Sequence, residues 1–244
     1  MRARRQQGMS LLIVIVIVLL TMLMAVWGAR TALFNELIVG NDADYQRTFE
    51  AAQAVLQDAE LDILGQNADG SACQPNSNDG KICRRTTSVW FVDEEKDVVG
   101  LLAALEARPN VACKNGSCSR PCLQGICAKR TQEQDFWNDA TLLEKMQESG
   151  VAARYGEYTG ALTNAQSNPI LQATAAGQGA WYWVETLPYA INASSVITNL
   201  DAPAKLDLNL NPAVVYRITA IAQGLKPSTQ VVLQATLARQ KIKD

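Results

Sequence analysis

Histidine is absent from all 244 residues. So are a Gly-x-Ser-x-Gly elbow, a Walker loop and any Cys-x-x-Cys pair. Together these absences remove the usual general base, activated serine, nucleotide cradle and thiol-redox motif, and no residue stands out as catalytic. A nucleic-acid footprint is missing too. The formal net charge is −2, and the C-terminal "ARQKIKD" is a small basic cluster that reads as a solvated chain end. There is no internal repeat, no proline before Pro75, and no ionisable side chain from Met9 to Ala29.

That last absence carries a structure with it. An uncharged helix over 9–29 spans roughly 30 Å, the thickness of a bilayer's hydrocarbon core. Arg2, Arg4 and Arg5 precede it, so the positive-inside bias keeps the N-terminus cytoplasmic and sends the rest of the chain outward. A secretory signal would have a shorter apolar core ending in small residues. Here "LLTMLMAVW" stays bulky, which favours a retained anchor.

Helical periodicity continues beyond the apolar run. Phe34, Ile38, Tyr45, Phe49, Ala52, Leu56, Ala59 and Ile63 recur at helical spacing and predict one apolar face over 30–64. Glu36, Asp42, Asp44, Arg47, Glu50, Gln57, Asp58 and Glu60 lie mostly off it. Gly40, in "GND", is the weak point where a kink is conceivable. The economical reading is a single helical spine over 9–64, half lipid-facing and half amphipathic.

Residues 65–244 are enough for one domain with its own core, and they read as α+β. "TTSVWFV" (Thr86–Val92) predicts a strand. "DVVGLLAALEAR" predicts a helix ended by Pro109, and "FWNDATLLEKMQESG" a second, capped by Asn138 or Asp139 and stopped by Gly150. "AWYWVE", "VVYRITAIA" and "TQVVLQATLA" predict strands, the last two flanking "QGLKPS" as a hairpin. Tyr216, Ile218 and Ala220 alternate with Arg217 and Thr219, the pattern of an antiparallel sheet covered on one face, with the spine helix as its cover. Asn192–Pro212 reads as a polar loop. Trp181 and Trp183 share a face, read as packing under the spine helix, with a sugar or partner patch as the alternative.

Cys73, Cys83, Cys113, Cys118, Cys122 and Cys127 all follow the membrane run, in the oxidising compartment, and their number is even. Their spacing is not that of a zinc knuckle and no histidine is present to assist, so disulfides are expected rather than metal. Connectivity is not legible from six cysteines. Cys73–Cys83 is the nearest pairing, closing a loop rich in Asn, Asp, Ser and Gly. "VDEEKD" and "QNADGSACQPNSND" offer oxygens, but neither has the order of a calcium loop. No cofactor is expected.

Several stretches together resemble a known family. An Arg-rich leader, Gly8 then Met9, an apolar helix and an amphipathic extension resemble a type IV prepilin. "GNDADYQRTFEAAQAVLQDAE", "AWYWVETLP" and "VYRITAIAQGLKPSTQVVLQATLARQ" resemble the PilX group of minor pilins. The resemblance implies a pilin fold and four segments: a leader over 1–8, a transmembrane and pilus-core helix over 9–29, the amphipathic half of the spine over 30–64, and a periplasmic head over 65–244. It implies that a prepilin peptidase cuts after Gly8 and methylates Met9. Most pilins carry a glutamate at the fifth mature position; here Ile13 stands there, as in the PilX group and the K-type pseudopilins of type II secretion, which implies a tip position. The implied partners are PilV-, PilW- and PilE-like minor pilins, a large tip adhesin, the major pilin, the inner-membrane assembly platform and the lipid bilayer. Two alternatives remain: a K-type pseudopilin, or a membrane-tethered periplasmic binding domain that never polymerises.

Overall fold

The computed structural model describes residues 9–73, 83–84, 90–92, 94–108, 113–114, 117–118, 122–130, 135–164, 168–189 and 210–240. Helix α1 runs over Met9–Leu64 as 56 residues without a break at Gly28 or Gly40. By its contacts the chain divides into two units, 1–44 and 45–244.

In the first unit every side chain from Ser10 to Val39 is exposed. Two threonine hydroxyls on this stretch are satisfied by the helix itself: Thr21 Oγ1 donates to Val18 O at 2.9 Å and Thr31 Oγ1 to Trp27 O at 3.0 Å. That is the arrangement a hydrocarbon surround requires, because lipid offers hydroxyls no partner.

In the second unit the same helix packs on a sheet. The buried stripe is Thr48, Ala51, Ala52, Val55, Asp58, Ala59, Asp62 and Ile63. This corrects the row read from spacing: Phe34, Ile38 and Tyr45 are exposed, while Phe49 and Leu56 sit at the edge of the core. Alanines lie at the centre because a short side chain lets the helix approach the strands closely. Asp58, placed off the apolar face by its charge, is buried as well.

After α1 come α2 (Glu95–Glu106), the two-residue strands β1 (Cys113–Lys114), β2 (Ser117–Cys118) and β3 (Cys122–Leu123), and β4 (Ile126–Ala128). A 3-10 turn (Phe136–Asn138) leads into α3 (Ala140–Met146), then β5 (Ala153–Arg154), α4 (Pro169–Gln172), β6 (Gly179–Pro188), β7 (Leu210–Gln223) and β8 (Gln230–Gln240). The main sheet has the order β3-β4-β6-β7-β8, with β5 also on β6. β6, β7 and β8 are antiparallel, and the expected "QGLKPS" hairpin closes with Gly224 N donating to Thr229 O at 2.7 Å. β4 instead runs parallel to β6, Ile126 opposite Val184. The sheet is therefore mixed rather than wholly antiparallel, since 129–178 is long enough for a crossover connection.

Two sequence-based elements differ. Trp90–Val92 form no strand, and the rest of Thr86–Val92 lies outside the described residues. Leu210–Pro212, read as loop, belong to β7, with a register shift before Val215. Pro212 has no N–H to offer a ladder, and prolines within strands fall at such irregularities.

Both faces of the sheet are covered. On the spine side Tyr182, Val184, Tyr216, Ile218 and Ala220 meet the stripe of α1 and Leu105 of α2. On the other side Trp181, Trp183 and Ile221 pack against Phe136, Leu143, Met146 and the Cys122 and Cys127 side chains. The tryptophans thus lie away from the spine helix, contrary to the sequence reading, and Tyr182 between them faces it; period-2 alternation requires that split. Phe136 and Trp183 meet edge-on at 5.0 Å and 77°, and Trp183 Nε1 donates to Met146 O at 3.0 Å. Trp181 and Trp183 are 2% and 1% exposed, which removes the sugar-patch alternative for this pair.

Candidate functional site

Two regions carry the features that bear on function: the apolar helix and the junction at which the spine helix ends. Ile13 lies on α1 and is 53% exposed among equally exposed Leu12, Val14 and Ile17. Gly8 lies outside the described residues, and Met9 is the first residue of α1. No acidic side chain occurs on the helix before Glu36. Over residues 9–29, where no ionisable side chain of either sign occurs, the helix presents a predominantly apolar surface suited to lipid or to other apolar helices.

At its far end α1 stops at Gly65, which takes φ +65°; Gly65 N donates to Asp62 O and Gln66 N to Leu61 O, the usual left-handed helix cap. The last two turns carry Asp58 and Asp62 into the core. Arg84 Nε reaches Asp62 Oδ1 and Oδ2 at 2.9 and 2.7 Å, and Tyr182 Oη donates to Asp62 Oδ2 at 2.6 Å. The Arg84 guanidinium lies 3.6 Å from the centre of the Tyr158 ring and 5.2 Å from that of Phe91. Burial raises the Asp62 carboxyl above its usual range, against the pull of Arg84 and the Tyr182 hydroxyl. Burial likewise opposes the Arg84 charge, but Asp62, Tyr182 and Tyr158 together outweigh it and hold Arg84 above its ordinary value.

Asp58 clamps the segment after β5. It accepts from Gly156 N at 2.7 Å and from Thr159 Oγ1. Gly156 is required on two counts: φ is +70°, and a Cβ there would sit 2.2 Å from Leu162 N. Burial pushes the Asp58 carboxyl up to about 6, against those two hydrogen bonds. In the unfolded chain it ionises near 3.8. Its contribution to stability is thus full below about pH 4 and is lost as pH rises through 6, a change on the order of 3 kcal/mol. Urea midpoints measured from pH 4 to 7 are expected to fall over that window. Asp58→Asn, which cannot titrate, should show a shallower fall, and an unchanged slope in the variant would remove Asp58 as its source.

A second buried cluster holds the opposite face. Glu185 on β6 pairs with Arg217 on β7 at 2.7 Å and accepts the Arg130 N–H at 2.9 Å. The Arg130 guanidinium stacks 4.0 Å from the Phe136 ring centre, and burial lowers it to about 10. Asp139, one of the two expected caps, accepts from Thr141 N and Leu142 N and starts α3.

The six cysteines divide as follows. Cys73 is bridged to Cys83 and Cys122 to Cys127, with Cα separations of 5.6 and 4.1 Å. The β1–β2 register sets Cys113 opposite Cys118. No free cysteine and no cluster of metal-ligating side chains occurs among the described residues. Asp69, in one acidic stretch, turns inward on its own loop and accepts from Ser71 N at 2.9 Å. Sequence reasoning missed Asp62, Arg84 and Tyr182; the one available signal was two aspartates at i and i+4 facing the packed stripe.

A family model described as type IV pilus assembly protein PilX, C-terminal, matches residues 123–239. A second, described as PilX N-terminal, matches residues 7–57. Together they take in well over half of the chain. No curated protein matches the chain, and no solved structure does.

Proposed function

Since the chain belongs to the PilX family of type IV pilus assembly proteins, we propose that it is a minor pilin of the tip complex that primes pilus assembly and presents a tip adhesin. The observation that carries this reading is the pairing of both family segments with one 56-residue helix that carries no charge from Met9 to Ala29 and exposes its side chains from Ser10 through that run. Such a helix serves twice. In the inner membrane it is a single-pass anchor with the head in the periplasm. On assembly it exchanges lipid for the helices of PilV-, PilW- and PilE-like subunits and the major pilin, at little solvation cost because both surrounds are apolar. On this reading residues 1–8 are the processing segment, 9–29 the anchor, 30–64 the amphipathic half of the spine and 65–244 the head. Mass spectrometry of sheared pili tests the proposal: the chain should be present, far below the major pilin in amount. Its absence from pili with retention in the membrane fraction would support the tethered-domain alternative.

Ile13 turns that proposal into a position. A subunit capping the tip has no neighbour above it whose N-terminal amine needs a carboxylate. Ile13→Glu is then expected to give no gain in labelled subunits per pilus, and to weaken tip assembly by burying an unpaired charge or forcing its protonation. Label at one end in the wild type, with no increase in the variant, fits the cap. Label along the shaft that rises with the glutamate would overturn it.

A further inference from the structure

The residues after the spine helix are held at two points, one beside the helix end and one on the segment after β5. Cys73 N donates to Gly65 O at 2.9 Å, beside the helix cap, and Cys83 N donates to Tyr158 O at 3.1 Å. The Cys73–Cys83 bridge ties these points together. The next residue is Arg84, 5% exposed, with its guanidinium on Asp62 in the last turns of α1. The bridge and the ion pair line one small cavity of about 50 Å³, shared with Trp90 and Tyr158.

We propose that the Cys73–Cys83 disulfide is a redox lock on the end of the spine helix: oxidation holds Arg84 on Asp62, and reduction lets Arg84 leave and loosens the helix from the sheet. The groups facing Asp62 make Arg84 decisive. Tyr182 approaches from β6, Glu157 from the segment after β5, and Asp58 from one turn back on α1. Arg84 is the cation among them, so its departure leaves an acidic, desolvated pocket, the costly half of a broken buried pair. Holding it requires Cys83, its neighbour in the chain, to stay beside Cys73, and the crosslink supplies that constraint in advance by restricting the open chain. In the oxidation the two thiols lose two electrons and two protons and form the S–S bond. The electrons reduce an exchangeable protein disulfide of the exported compartment to its dithiol, and the reverse exchange, in which a protein dithiol gives up two electrons and two protons and becomes a disulfide, reopens the bridge. The lock is a property of the head, whichever assembly the chain enters.

Limited trypsinolysis of the full chain in detergent micelles reads the lock directly, because trypsin cuts after Arg84 only when that side chain has left its site. Mass spectrometry separates the fragment beginning at residue 85 from the one beginning at 86. In the Cys73→Ser/Cys83→Ser variant, cleavage after Arg84, normalised to cleavage after exposed Lys96, is expected to rise about tenfold or more. Equal rates with and without the bridge would overturn the proposal. If tryptophan emission shows that the variant is unfolded, the same cut is followed during timed reduction of folded wild-type chain, with bridge state read by alkylation mass. Cleavage after Arg84 confined to molecules alkylated at Cys73 and Cys83 but still bridged at Cys122–Cys127 supports the lock. The same cleavage rate in bridged and opened molecules overturns it.

Discussion

Asp62→Ala is expected to destabilise the head by about 3–5 kcal/mol, the usual cost of removing one partner from a buried ion pair. The substitution strips Arg84 of a two-point contact at 2.9 and 2.7 Å and Tyr182 of its acceptor, at a site closed to bulk water. Urea unfolding followed by tryptophan emission is a suitable readout, because Trp181 and Trp183 are buried in the same unit. The double variant Asp62→Leu/Arg84→Met replaces the pair with apolar groups of similar size and is expected to recover most of the loss. A double variant as unstable as the two single losses added together would show that the residues act independently. A single variant as stable as wild type would show that the pair contributes nothing.

Gly8→Val is expected to have the largest effect on function: the full-length chain accumulates in the membrane and disappears from sheared pili. The physical reason is steric, since a peptidase pocket shaped for glycine has no room for a branched Cβ. Wild-type protein should begin at a methylated Met9 and the variant at its original N-terminus. N-terminal peptides from cells with and without an active prepilin peptidase check both statements. An uncut N-terminus on wild-type protein, in cells whose peptidase processes other prepilins, would sink the processing proposal and with it the filament role.

The long helix was legible because its signals are local. An uncharged run of bilayer length and an i, i+3, i+4 recurrence without proline suffice to predict α1. The β6–β7–β8 meander was legible for the same reason, through alternation and a Gly- and Pro-bearing turn. Errors arose where a residue's neighbours come from far along the chain. Phe34, Ile38 and Tyr45 have the periodicity of a packed face yet are exposed; spacing marks a stripe without saying where along it a partner begins. The tryptophans show the same limit. Alternation puts Trp181 and Trp183 on one face, but the order of the elements does not say which face the spine helix takes.

The sequence alone determined the apolar helix of bilayer length, the spine, the α+β class and the family, since each rests on patterns within a few dozen consecutive residues. Only the tertiary structure decided the parallel β4–β6 pairing, the second core under Trp183, and the burial of Asp58 and Asp62. A charged residue on a helix is ordinarily read as solvated, because burying it alone is prohibitive. Asp62 is buried because Arg84 and Tyr182 reach it from 22 and 120 positions away, and no local window contains all three. Free energy depends on the complete set of partners, which exists only once the chain has closed on itself.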